Sequence, residues 1–331
     1  MTVGALRIGI VGAGPAARAL SMRLRALDGV TAVGVTDVDA SAARALASTL
    51  STARDPVEAY ADHAELIRRA NPTALAIFTD HAAGYRPAID ALQAGCHLFL
   101  QRPMANSVQE ASDIAGLAKA RGLLVGIGHH LRLLPSLIRT RARVSQGAIG
   151  PLRLVTATLT LPWLDAFRSS ELDGRFDPKL VEGGILADAG RHLIDALLWT
   201  SGRSAVAVSA IQAGPGLGAD VVTAAAIQLD DGTPATLGLS GVSPRSRFEL
   251  TFHGERGRIQ ATETSLVEEI GEGPELAVPL TEAPARIEAD FVAALRGDGP
   301  LCCPAEEALA TVRLQEAMAR SAAIGQLVRL A

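Results

Sequence analysis

Apolar residues open the chain as a short run, 7–11, break at glycine, and resume at helical spacing past Leu24. That order predicts a strand, a tight turn and a helix. The exchange of strand-length apolar runs for helix-length patterns continues to about Gly128. Strands are expected at 7–11, 30–36, 74–79, 97–100 and 123–127. Helices fill the gaps, including 87–94 and 107–120, the latter capped by Asn106 or Ser107. Alternation of this kind predicts an α/β fold, a parallel sheet covered by helices on both faces. Its strands would all end at one edge, where open α/β sheets bind their ligands. The residues to examine therefore follow the strands: Asp37, then Thr79 with Asp80 and His81, then Gln101 with Arg102 and Pro103, then His129 and His130.

Beyond Gly128 the pattern changes. A helical segment at 135–146 leads to a β-rich run at 152–161, and further strand-length runs follow at 205–211, 221–229, 235–240, 247–253 and 258–262. Asp231 with Gly232, and 255–257, sit where hairpin turns belong. Consecutive strands with short turns predict an antiparallel sheet, and two amphipathic segments, 285–295 and 305–324, close the chain. The expected domains are residues 1–128, the α/β unit, and 129–331, an α+β domain with a large, mostly antiparallel open sheet.

The glycine turn carries the first candidate chemistry. Gly12, Gly14 and Ala17 fit the spacing GxGxxG/A: one glycine makes the turn, the next lets the backbone approach a pyrophosphate, and the small third residue lets helix and strand pack closely. Pro15 and Ala16 open the helix, whose unpaired N–H groups and positive dipole end would face the ligand's charge. Asp37 lies about 20 residues further on, where such folds place a carboxylate against the ribose hydroxyls. A carboxylate there repels a 2′-phosphate, so NAD is expected over NADP.

The second constellation is VEGGILADAGRHLIDALLW, 181–199. Gly183 and Gly184 precede a helical pattern that puts Asp188, His192 and Asp195 at i, i+4 and i+7 on one face. An Asp one turn before a His can orient the ring and raise its basicity, as a general base near neutral pH requires.

Composition narrows the function classes. The chain has 331 residues, 48% hydrophobic and 20% charged, enough for two domains with real cores. A net charge of -4 and 3% aromatic residues argue against a nucleic-acid partner, which would demand a basic face and stacking platforms. No apolar run is long enough to span a bilayer, and the amino terminus does not read as a secretory signal. Three cysteines, Cys96, Cys302 and Cys303, form neither a disulfide framework nor a metal-ligand spacing, so a cytoplasmic, metal-free protein is expected.

Four blocks resemble the glucose-fructose oxidoreductase, inositol dehydrogenase and MocA family. GIVGAGPAARA resembles its cofactor turn and AIDALQAGCHLFLQRPMA its ALxAGxHVLxEKPxA segment. GGILADAGRHLID matches GGxxxDxGxHxxD, and RFELTFHGERGRI resembles the glycine hairpin of its sheet. The resemblance implies an enzyme that moves a hydride between a nicotinamide, bound at the strand edge, and a sugar, cyclitol or polyol held by the second domain. It implies a catalytic set of Arg102, Asp188 and His192, with Arg132 contacting substrate; His129, at the domain junction, is expected to line the substrate pocket. The cofactor would be held by the glycine turn, Asp37, Thr79, Asp80, Gln101 and Arg102. Two departures stand out. The family's Glu and Lys are here Gln101 and Arg102, and a guanidinium orients an oxyanion without relaying a proton. The usual TPN sequence is Thr79, Asp80, His81, which sets a carboxylate near the nicotinamide and favours its oxidised, positively charged form. These departures leave open an enzyme without net redox (elimination, epimerisation or glycoside cleavage) and a non-catalytic NAD or sugar sensor. The large sheet suggests a homodimer or homotetramer.

Overall fold

The opening strand, turn and helix are β1 (Leu6–Val11) and α1 (Pro15–Arg25) in a computed structural model that describes residues 5–79, 83–165, 184–214, 219–280 and 285–330. Gly12 bends the chain at φ +100°, and a Cβ there would stand 2.8 Å from the Phe78 carbonyl, so no other residue fits the turn. Pro15 occupies the first helical turn, and Ala17 is buried against the sheet.

Parallel strands and helices then alternate: β2 (Val30–Thr36), α2 (Ala40–Leu50), β3 (Glu58–Ala59), α3 (His63–Ala70), β4 (Ala74–Ile77), α4 (Tyr85–Gln93), β5 (His97–Leu100), α5 (Val108–Arg121) and β6 (Val125–Ile127). Local chemistry sets the helix starts. Asp39 accepts the Ser41 and Ala42 N–H groups, and the Asp62 and Ser107 side chains cap α3 and α5. The six strands lie in the order β3-β2-β1-β4-β5-β6, all parallel, so the chain reverses direction of progression between β1 and β4. Such a switch point opens a crevice beyond the strand ends.

The chain divides into two compact units, Met1–Gly128 with Arg286–Leu309, and His129–Ala285 with Ala310–Ala331. The sequence reading puts everything after Gly128 in the second domain; the structure returns 286–309 to the first unit. The physical reason is local. On α8 (Ile287–Arg296), Phe291 is 1% exposed with its ring 5.3 Å from that of Phe99, and Glu288 pairs with Arg23 at 2.7 Å. Cys303 also accepts the Ile127 N–H at 3.0 Å.

Among the described residues of the second unit nine strands form one open sheet. They are β7 (Leu152–Thr160), β8 (Ala205–Ala213), β9 (Val222–Leu229), β10 (Pro234–Ser240), β11 (Arg247–Gly254), β12 (Gly257–Ala261), β13 (Leu266–Ile270), β14 (Leu276–Ala277) and β15 (Val328–Arg329). Their order is β14-β13-β12-β11-β7-β10-β9-β8-β15, antiparallel throughout except for β7 beside β10. One face is covered by α6 (Pro135–Ser145), α7 (Arg191–Ser201) and the second-unit part of α9 (Ala305–Ile324). Leu137, Leu193, Leu197, Leu250, Phe252 and Leu314 are buried there. The alternating positions of the other face, such as Thr158, Ala224, Ala226 and Thr236, are exposed. No helix among the described residues is long and apolar enough to cross a membrane.

Candidate functional site

In the first unit the expected cofactor residues gather at the carboxyl ends of the strands. The Ala13 N–H, inside the glycine turn, donates to Asp37 Oδ2 at 2.6 Å, and the Asp39 N–H donates to Asp37 Oδ1 at 2.8 Å. The carboxylate is thus fixed at the turn, with lone pairs left for ribose hydroxyls. A Cβ on Gly14 would meet nothing within 4 Å, and α1 begins without a side-chain cap or an acidic residue in its first turn. Open space in front of uncapped N–H groups is what a pyrophosphate requires. Thr79, Gly84, Gln101 and Arg102 line a neighbouring cleft, and the buried Thr79 hydroxyl has no hydrogen-bond partner among the described residues. These residues fit a dinucleotide. Asp80, His81 and Gly183 lie outside the described residues.

In the second unit the Gly184 segment enters a π turn, Leu186–Gly190, that runs directly into α7. A π turn closes five residues apart rather than four, so the segment from Asp188 to His192 starts wider than a regular α-helix. Trp163 Nε1–H donates to Asp188 Oδ2 at 2.9 Å. His192 is 9% exposed; the exposed His130 presents its ring edge-on at 4.8 Å, and the buried His129 lies at 6.1 Å.

Two residues expected to contact substrate are buried beside Asp195. Arg132 is 3% exposed and gives its fork to Asp195, Nε to Oδ2 at 2.9 Å and Nη2 to Oδ1 at 2.7 Å. His129 is 2% exposed, with Nδ1 3.7 Å from Asp195 Oδ2. The reason is charge: Asp195 is 1% exposed, and a carboxylate that deep needs cations and donors around it. Burial works to raise its pKa, but the His129 and Arg132 charges, the Arg132 hydrogen bond and the Thr311 hydroxyl outweigh it and hold the carboxyl below the ordinary range. Trp199 packs under this pair, with the Arg132 and Arg141 guanidinium carbons 5.7 and 4.8 Å from its ring centre.

Sequence reasoning missed two contributors. Trp163 lies 25 residues before its partner Asp188. Asp220 lies 34 residues after Leu186, whose N–H it accepts at 3.2 Å. Neither separation matches a helical or strand period, so only the fold reveals them.

A glycine-turn unit shaped for a dinucleotide, followed by a unit built on an open sheet with a histidine-bearing helix, defines a two-unit nucleotide-binding scaffold. The chain belongs to the GFO/IDH/MocA family. Residues 6–129 match the oxidoreductase family with an NAD-binding Rossmann fold, and residues 137–260 match the GFO/IDH/MocA C-terminal domain. A D-glucoside 3-dehydrogenase of Escherichia coli strain K12 is 26% identical over 62% of this chain; the match spans only 57% of that enzyme's length. A 1,5-anhydro-D-fructose reductase of Ensifer adhaerens is 23% identical over 98% of each chain. The solved structure of a levoglucosan dehydrogenase with NADH and L-sorbose superposes with a TM-score of 0.88 at 18% identity, covering 99% of this chain and 100% of that one, a likeness of fold.

Proposed function

We propose that this protein is an NAD-dependent dehydrogenase or reductase of a sugar, cyclitol or related polyol. The observation that carries the reading is the Asp37 carboxylate held at 2.6 Å on the glycine turn, beside open space at Gly14, in a chain of an oxidoreductase family. The names of the similar dehydrogenases and reductases support the substrate class.

A bound nicotinamide supplies a hydride acceptor, or a donor in the reverse direction. The chain's own residues do the rest. A ring nitrogen of His192 takes the hydroxyl proton as the alcohol carbon becomes a carbonyl, and returns it on reduction. Asp188, fixed by Trp163, orients the alcohol or the imidazole. Arg102 holds the developing alkoxide oxygen as a permanent cation, which stabilises charge but passes no proton. The glycine turn, Pro15, Ala16, Thr79, Asp80 and Gln101 belong to the proposed cofactor contacts. Asp37 selects NAD over NADP, because a 2′-phosphate would bring negative charge against a fixed carboxylate.

Assembly and location complete the proposal. The exposed positions on the central strands, Thr158, Ala224, Ala226 and Thr236, are small and uncharged, and support a homodimer or homotetramer. Cys96, Cys302 and Cys303 are all unbridged thiols, which supports a cytoplasmic location.

The deciding experiment measures NAD and NADP affinity, then absorbance at the reduced-cofactor band across a panel of sugars, cyclitols and polyols. Turnover with NAD on at least one member is expected. Tight NAD binding with no turnover would replace the reading by a sensor, and turnover without net cofactor change would replace it by an internal-redox enzyme.

A further inference from the structure

We propose that Asp220 is a positioning residue of the acid–base site, fixing the start of the segment that carries Asp188 and His192. The inference rests on the reading of His192 as the acid–base group.

That segment begins without a side-chain cap of its own, at both the π turn and α7. Its first donors are taken by a single residue from another part of the unit. The Ile185 N–H donates to the Asp220 carbonyl at 2.9 Å, and the Leu186 N–H donates to Asp220 Oδ2 at 3.2 Å. Two adjacent N–H groups held on a backbone oxygen and a side-chain oxygen of one residue fix both the position and the rotation of the helix start. The approach is so close that a Cβ on Gly184 would stand 1.9 Å from the Asp220 carbonyl oxygen.

Asp220 is itself anchored to the sheet. It is 9% exposed, and Thr223 Oγ1–H donates to its Oδ2 at 2.6 Å. The next residue, Val221, donates its N–H to Ala213 O and accepts the Gly241 N–H, each at 2.8 Å. Gly241 in turn accepts the Leu164 N–H at 2.8 Å, and a Cβ on it would press on Ile185 and Trp163. One junction therefore places the helix start and also Trp163, the partner of Asp188. Burial pushes the Asp220 carboxyl pKa up, with the Thr223 hydroxyl and the Leu186 N–H only partly offsetting it, so this acceptor is kept in place against its own preference for water. A stability cost retained at such a place is the pattern of a group kept for function.

The consequence is mechanical. Asp188 lies three residues and His192 seven residues beyond Ile185, and a misplacement of about 1 Å at a reacting group can cost about 10²-fold in rate. The dinucleotide contacts lie on other residues and should not respond.

Asp220→Ala and Asp220→Asn, made in the full chain, test this. The alanine variant is expected to lose about tenfold or more in kcat, with KM for NAD unchanged within about twofold. The asparagine variant keeps a side-chain oxygen for the Leu186 N–H and should recover to within about threefold of wild type. Amide hydrogen exchange at 185–190, read without substrate, should quicken about tenfold in the alanine variant and stay near wild type in the asparagine variant. Wild-type kcat and exchange in the alanine variant, or equal impairment of the two variants, would overturn the proposal. Should the alanine variant not fold, Thr223→Val decides: faster exchange at 185–190 supports the anchor and wild-type exchange refutes it. A wild-type protein that binds NAD but oxidises no polyol sinks the acid–base reading alone, because the exchange measurements still decide the role of Asp220.

Discussion

The indole N–H of Trp163 and the carboxylate of Asp188 meet at 2.9 Å, joining the residues just after β7 to the π turn that opens the histidine-bearing helix. The carboxylate that sequence spacing pairs with His192 thus has a partner on the sheet side as well. Removing the donor while keeping an aromatic ring separates anchoring from packing. Trp163→Phe is expected to lower kcat about three- to tenfold, the net worth of one typical hydrogen bond, with NAD affinity unchanged. A change in NAD affinity with kcat intact would show that the contact serves something else.

His192→Ala removes the proposed proton acceptor. Positioned acid–base groups contribute about 10²–10⁴-fold, so turnover should fall by at least about 10²-fold while NAD still binds. Stopped-flow cofactor binding beside steady-state turnover reads both quantities. Retained turnover would move the base to another residue, with the neighbouring His130 first in line.

Cofactor choice turns on Asp37. Asp37→Ser leaves a shorter acceptor and no charge; NAD affinity is expected to fall about tenfold and NADP affinity to rise, as the loss of one charge repulsion implies. Fluorescence titration with both reduced cofactors gives the ratio. An unchanged ratio would place the selectivity elsewhere.

Arg102 replaces a lysine that the resemblance assigns to catalysis. A guanidinium does not titrate below pH 12, so the basic limb of the pH–rate profile should lack its ionisation in the wild type. Arg102→Lys should add a new ionisation on that limb, and Arg102→Ala should lower kcat/KM by about 10²-fold. Identical profiles for wild type and the lysine variant would remove Arg102 from the chemistry.

The legible parts of the fold were those that local chemistry dictates. The strand, Gly12 and Pro15 sequence announces β1 and α1 because only glycine fits against Phe78, and Ser107 marks the start of α5. Other parts depend on distant partners. The strand β13 reads LVEEI, with charges at the sheet margin and little alternation, and β15 is only two residues long. The parallel pairing of β7 with β10 follows from how the chain returns across the sheet, which turn signals do not encode. The segment 286–309 looks like any closing amphipathic helix until Phe291 is seen against Phe99. At the site the pattern GGxxxDxGxHxxD brings Asp188 and His192 into view but gives its last member, Asp195, no role. The structure gives it one, as the buried counter-charge of Arg132. The pairing of Arg132 with Asp195 was not legible in the sequence, because the partners lie 63 residues apart.

Two buried aspartates of the second unit make opposite predictions about pH. Asp195 has a folded pKa below its ordinary value, so its stabilising contribution is present above about pH 4 and is lost as pH falls through the folded value. Asp220 has a folded pKa above its ordinary value, so its contribution is complete below about pH 4 and is lost as pH rises through the folded value. Urea unfolding of Asp195→Asn should therefore show its largest deficit at neutral pH, converging on wild type below about pH 4. Asp220→Asn should gain stability relative to wild type as pH rises over the same range. Breaking the buried pair from the other side, Arg132→Met, should cost about 3–5 kcal/mol near pH 7, since it strands the Asp195 charge, and less in acid, where that charge is neutralised. Parallel pH dependence of Asp195→Asn and Asp220→Asn would contradict this account of the two carboxyls. A small, pH-independent loss for Arg132→Met would mean that Asp195 is stabilised without its guanidinium partner.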